Sequence, residues 1–211
     1  MRKTHIILFA LAALVSSTAS AQRLGVSVGY SRMTGQLGNL DSNEGIAVRV
    51  GAELNPRSLF RLGVEAGMER LNENRRFIQT SCLHPAGGTA TCYFNSRDRD
   101  TGWSLAAILR AGPTAGRVRP YVLAGLGILS VRTRSSNVAT DSTGAHLTNF
   151  EFEGTSSDGA FIVPLGAGVL FRPGGSPIGV GIEARVTPLF HSYSGGPTIN
   201  WSPSLALTVR W

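Results

Sequence analysis

Three groups of residues in this chain could do chemistry. They are the run His191-Ser192-Tyr193-Ser194, the pair Cys82 and Cys92 with His84 between them, and arginines and glutamates on alternate positions of apolar segments. A serine nucleophile needs a histidine beside it and a carboxylate to orient that histidine. No carboxylate lies between Glu183 and the chain end, so His191 has no local orienter. The other downstream histidines, His84 and His146, sit in polar stretches. Two cysteines and His84 fall short of the four ligands of a structural zinc site. They flank the turn-rich His84-Pro85-Ala86-Gly87-Gly88, where a disulfide closing one loop is the natural reading. There is no phosphate loop, dinucleotide fingerprint or metal-ligand cluster, so no cofactor is expected.

The arginines and glutamates need a fold before they mean anything. The formal charge is +7, from 20 basic and 13 acidic residues. The basic residues are spread singly, with no cluster longer than Arg75-Arg76, which argues against nucleic acid. Export is indicated first. Arg2 and Lys3 precede an apolar run from Ile6 to Val15, and Ala19-Ser20-Ala21 is a small-residue cleavage site. The run is too short to span a bilayer, so residues 1–21 read as a signal peptide and 22–211 as the mature domain. Export also makes a disulfide permissible.

No later segment holds a 3.6-residue apolar period. Period 2 recurs instead, in eight stretches: Leu24–Ser31, Ile46–Leu54, Phe60–Glu69, Trp103–Arg110, Arg119–Val131, Phe161–Phe171, Ile178–Val186 and Leu205–Trp211. Strands of roughly nine to twelve residues cross a bilayer when tilted. The connections alternate between short (Asn55 to Ser58, Gly112 to Gly116, Pro173 to Ser176) and long (Gly35 to Glu44, Asn72 to Asp100, Thr133 to Asp158, His191 to Ser202). The predicted fold is all-β: an eight-stranded antiparallel up-and-down transmembrane β-barrel with short periplasmic turns and long extracellular loops.

One strand face is aliphatic or aromatic, and the other mixes Gly, Ser and charge. Placing the apolar face toward lipid leaves a narrow interior in which glycines make room for Arg49, Arg61, Arg110, Arg119, Arg185 and Arg210 with Glu53, Glu65, Glu69 and Glu183. A turn centred on Arg57 sets Glu53 opposite Arg61 and Arg49 opposite Glu65, making two opposite-charge pairs in one register. Glu183 and Arg185 form a third interior pair. The expected consequence is a salt-bridged plug, with a narrow pore as the alternative.

The glycine-alternating strands, above all Arg119-Pro120-Tyr121-Val122-Leu123-Ala124-Gly125-Leu126-Gly127 and Pro164-Leu165-Gly166-Ala167-Gly168, resemble the small outer-membrane barrels of the OmpA transmembrane-domain, OmpX and opacity-protein type. The resemblance covers the whole mature chain. It implies the bacterial outer membrane as location and the barrel-assembly machinery as a partner during biogenesis. The C-terminal strand with Leu205, Leu207, Val209 and Trp211 is similar to that machinery's recognition signal, although Trp stands where Phe is usual. No peptidoglycan-binding domain is seen after the barrel, so an anchoring role is not carried over. Some such barrels are lipid A deacylases with a His-x-Ser pattern. Tyr193 breaks that spacing, and a non-enzymatic protein is expected.

Phe60, Phe171 and Trp211 fall near one end of their strands and Tyr30, Trp103, Phe161 and Phe190 near the other, as two interfacial girdles. Arg32, Arg70 and Arg132 have outward parity just above the outer girdle, where lipopolysaccharide phosphates are the natural partners. The expected protein is a monomer that packs the membrane and presents surface loops to an extracellular ligand.

Overall fold

The computed structural model describes residues 23–34, 43–54, 57–71, 73–83, 87–174, 176–190 and 198–210. The proposed signal peptide, the His191-Ser192-Tyr193-Ser194 run, His84 and Trp211 lie outside these residues. Ten strands are formed: β1 (Arg23–Thr34), β2 (Asn43–Leu54), β3 (Phe60–Leu71), β4 (Asn74–Leu83), β5 (Thr89–Ala111), β6 (Val118–Asp141), β7 (Phe152–Ile162), β8 (Leu165–Phe171), β9 (Ile178–Phe190) and β10 (Thr198–Arg210). Every pairing is antiparallel. β1 pairs with β10, so the ring β1-β2-β3-β5-β6-(β7/β8)-β9-β10 closes with eight members.

β7 and β8 are one wall strand with a gap. β6 pairs Gly127 with Ile162 above the gap and Ala124 with Leu165 below it, in unbroken register. Pro164 has no N–H to give the ladder there, and its carbonyl instead accepts from Gly125 at 2.8 Å. Proline and glycine mark the described parts of the short turns between β5 and β6 and between β8 and β9. Between β8 and β9, Arg172 Nε donates to the Ser176 carbonyl at 2.7 Å, and Gly116 takes a φ of 91° between β5 and β6.

The alternation faces as expected. Val26, Val28, Ile46, Leu62, Leu105, Leu126, Ile128, Ile182 and Leu205 are exposed on the outer wall, with Tyr30, Trp103, Phe161, Phe190, Phe60 and Phe171 toward its rims. Trp201 joins the outer girdle, opposite Arg32.

Three expectations need correction. First, the stretches assigned to loops at Asn72–Asp100 and Thr133–Asp158 are largely strand: β5 runs for 23 residues and β6 for 24. Together with β4 and β7 they raise a four-stranded sheet above the barrel. Most residues on both faces of that sheet are exposed or half-buried, so no apolar alternation marks it. Second, Cys82 and Cys92 lie within β4 and β5 rather than in a loop. Their sulfurs are bonded, across the diagonal of a ladder that pairs Cys82 with Ala90 and Thr80 with Cys92. Around them, Ala139, Leu147 and Phe94 form a small second core at the sheet's far end. Third, the interior is two-sided. Ile108, Leu123, Leu129 and Ile162 of β5–β7 pack with Leu189 of β9 into an apolar cluster, and the charges collect mainly on β1, β2, β3 and β9, joined by Arg110 of β5.

Candidate functional site

The interior charges are placed by parity and given room by glycine. Arg49 faces Gly67, Glu65 faces Gly51 and Glu53 faces Gly63 across β2 and β3. Arg185 faces Gly166 and Glu183 faces Gly168 across β8 and β9. A Cβ on Gly67 would come within 2.4 Å of Ser104 Oγ, and one on Gly168 within 2.6 Å of the Tyr121 ring. Any side chain at either position therefore displaces the network.

The register predicted for β2 and β3 is overturned: it is shifted by two residues, so neither Arg49–Glu65 nor Glu53–Arg61 is a directly opposite pair. Guanidinium and carboxylate groups on long stems reach diagonally instead, which lets glycine sit opposite each charge. Arg49 Nη2 bonds Glu69 at 3.2 Å and Ser202 Oγ at 2.7 Å. Glu65 takes a two-pronged contact from Arg185, with Nη2–Oε2 at 2.7 Å and Nη1 on Oε1, and a further bond from Arg110 at 3.2 Å. Glu53 gathers Arg23 at 3.3 Å, Arg110 at 3.1 Å and Arg61 at 4.0 Å. Arg185 Nε donates to Glu183, which also receives the Tyr121 hydroxyl at 2.8 Å. Asn200 closes the upper end by donating to Glu69 at 2.6 Å.

Arg23 is a member that the sequence reading missed. It begins β1 with the same parity as Gly25 and Ser27, so extending that alternation by one step finds it. Arg61 and Arg110 are direct cross-strand neighbours of like charge, an arrangement that is unfavourable by itself. The shared Glu53 offsets it.

The second concentration of charge lies outside. On the barrel-wall face of the raised sheet, Arg70, Thr101, Arg132 and Ser157 form one row across β3, β5, β6 and β7. One step up, Arg99 faces Arg134, and one step further Arg75 faces Arg97. Six arginines thus share this face with two described carboxylates, Glu73 and Glu153. Glu73 takes Arg75 at 2.8 Å, Arg99 at 3.0 Å and Arg97 at 4.0 Å, and Glu153 pairs with Arg134. Hydrogen bonds from Arg75 and Arg99 hold the Glu73 carboxyl below its ordinary range, and Glu153 raises the Arg134 guanidinium. Arg32 stands on the next part of the rim, 3.9 Å from Glu44. The opposite face of the sheet is acidic: Asp98 and Asp158 lie there, and buried Asp100 accepts from Thr133 at 2.6 Å.

Among the described residues no group of three metal-ligating side chains occurs. Among them, no helix is long and apolar enough to cross a membrane.

The sequence of residues 5–203 matches the family described as the outer membrane protein beta-barrel domain. The chain belongs to that family. It is therefore an integral protein of the bacterial outer membrane. The fold is similar to neisserial surface protein A, at 14% identity and a TM-score of 0.55, over 92% of this chain and 100% of that one. Also similar are Ail, the attachment invasion locus protein of Yersinia pestis (15% identity, 91% of this chain and 100% of that one, TM-score 0.41), and the outer membrane enzyme PagL (15%, 89% and 98%, TM-score 0.43). No curated protein matches the sequence.

Proposed function

We propose that this barrel is a non-enzymatic, monomeric structural and surface-interaction protein. Its bore is plugged by Arg–Glu contacts, and its raised sheet is held among lipopolysaccharide molecules by the outward arginine face. The observation that supports this reading is the stacking of arginine rows on the one sheet face that continues the lipid-facing wall. Like charges placed directly opposite one another, as Arg99 and Arg134 are, are unfavourable, and Glu73 and Glu153 offset only part of the charge of six arginines. Phosphate oxygens meet guanidinium groups in a two-pronged geometry. The row nearest the girdle contains Arg70 and Arg132, two of the three arginines that parity alone assigns to lipopolysaccharide, and Arg32 extends the same band. Contact with an extracellular ligand belongs to the far end of the sheet, and assembly into the membrane to the barrel-assembly machinery.

The test is lipopolysaccharide retained after mild-detergent purification. Replacing Arg97, Arg99 and Arg134 together with Gln should lower it several-fold, while heat-modifiable gel migration stays that of a folded barrel. Equal retention would remove the proposed contact. In planar bilayers the protein should give no conductance steps, and regular steps would favour the narrow-pore alternative. Lipid A mass should be unchanged on expression, and a mass shift would reveal an enzyme.

A further inference from the structure

The interior network lines a partly open cavity of about 40 Å³ in the half of the bore nearer the short turns. That is room for a few water-sized occupants. Its wall includes Arg23, Arg49, Arg61, Arg110 and Arg119, against the carboxylates of Glu53, Glu65 and Glu183. Positive charge is in excess by two. Each of the three carboxylates already receives donors from two or more side chains.

Two guanidinium nitrogens in this wall are buried without a hydrogen-bond partner among the described residues: Arg49 Nη1 and Arg61 Nε, the latter 4.0 Å from the Glu53 carboxylate and beyond hydrogen-bond reach. Their side chains are 6% and 3% exposed. A buried charged donor without an acceptor is strongly unfavourable. Water supplies the acceptor but leaves the excess charge, whereas an anion answers both. The two donors line the cavity from different heights, because Arg61 is the second residue of β3 and Arg49 stands mid-strand in β2.

We propose that this cavity is a binding site for a small monovalent anion of chloride size. Charge selects an anion, and room for only a few water-sized occupants limits it to a small one. The site does not depend on the lipopolysaccharide contact, because it lies on the other side of the wall.

Bromide is the probe. Crystals of the folded mature chain grown in sodium bromide should show an anomalous peak in the cavity. The urea midpoint in lipid vesicles, at fixed ionic strength, should rise saturably as gluconate is replaced by bromide. Arg61→Met should abolish the saturable rise. If that variant does not fold, the wild-type bromide–gluconate comparison and the anomalous map still decide. Ordered water with no anomalous signal would overturn the proposal. So would equal midpoints in the two salts. A peak without a saturable midpoint change would mean an adventitious ion only, and would overturn it as well.

Discussion

Glu53 and Glu73 have the same partners by type, three arginines each, in opposite surroundings. Around Glu53, the side chains of Arg23, Arg61 and Arg110 are at most 15% exposed. Around Glu73, those of Arg75, Arg97 and Arg99 are all more than half exposed. The first cluster is buried in the bore, beside the interior cavity. There, removing one member leaves the rest charged with little solvent to screen them. The second stands in water, where ions and solvent screen every contact. One arrangement of charges is therefore shielded inside the barrel and solvent-accessible outside it.

The largest effect that tests this contrast comes from the buried member. Glu53→Gln should lower unfolding stability in lipid vesicles by on the order of 3–5 kcal/mol, because three guanidinium groups lose their common counter-charge. Glu73→Gln should leave the urea midpoint within experimental error. Similar losses for the two variants would erase the distinction.

A smaller effect separates partners within the interior. A double-mutant cycle between Glu65 and Arg185, read by urea unfolding, should show a coupling of about 1–3 kcal/mol. The same cycle between Arg49 and Glu65 should give much less, since Arg49 bonds Glu69 instead. Strong Arg49–Glu65 coupling would restore the directly opposite register that the ladder excludes.

The smallest effect is a titration on the outer face. The folded-state pKa of Glu73 is depressed by Arg75 and Arg99. Its contribution to local order is therefore fully present above the unfolded carboxyl pKa and is lost as pH falls through the depressed folded value. Carboxyl chemical shifts of Glu73 should show protonation at lower pH than for a free glutamate. Lipopolysaccharide retention should rise over the same interval, as the face gains a positive charge. A midpoint at the ordinary glutamate value would show that the arginines do not hold the carboxylate.

The parts of this fold legible from sequence are those on which lipid imposes a rule. Every wall strand must show apolar residues at alternate positions, so eight strands and their short turns could be counted from Leu24 to Val209. The raised sheet escaped because water imposes no such rule: Arg97, Arg99, Arg132 and Arg134 alternate with polar residues and look like loop. The apolar patch inside escaped for a related reason. Ile108, Leu123 and Ile162 sit in strands that are apolar on both faces, so parity offers no contrast. The register failed on geometry. Pairing charges directly across a hairpin assumes short side chains, but Arg and Glu reach to the next rung and favour glycine opposite them. The outward arginines were legible only where a girdle residue marked the membrane edge, which singled out Arg32, Arg70 and Arg132 and left the rows above them unseen.

The length of β5 and β6 also governs how such a chain can enter a membrane. Before the barrel closes, the hairpin bearing Arg75, Arg76, Arg97 and Arg99, and the next bearing Arg132 and Arg134, must pass through the hydrocarbon from the periplasmic side. An arginine at the bilayer midplane costs about 2–4 kcal/mol. Crossing therefore presents a kinetic barrier that the finished protein no longer displays, and local thinning of the bilayer lowers it. Unassisted insertion should accelerate steeply as lipid chains shorten, with the two long hairpins crossing last.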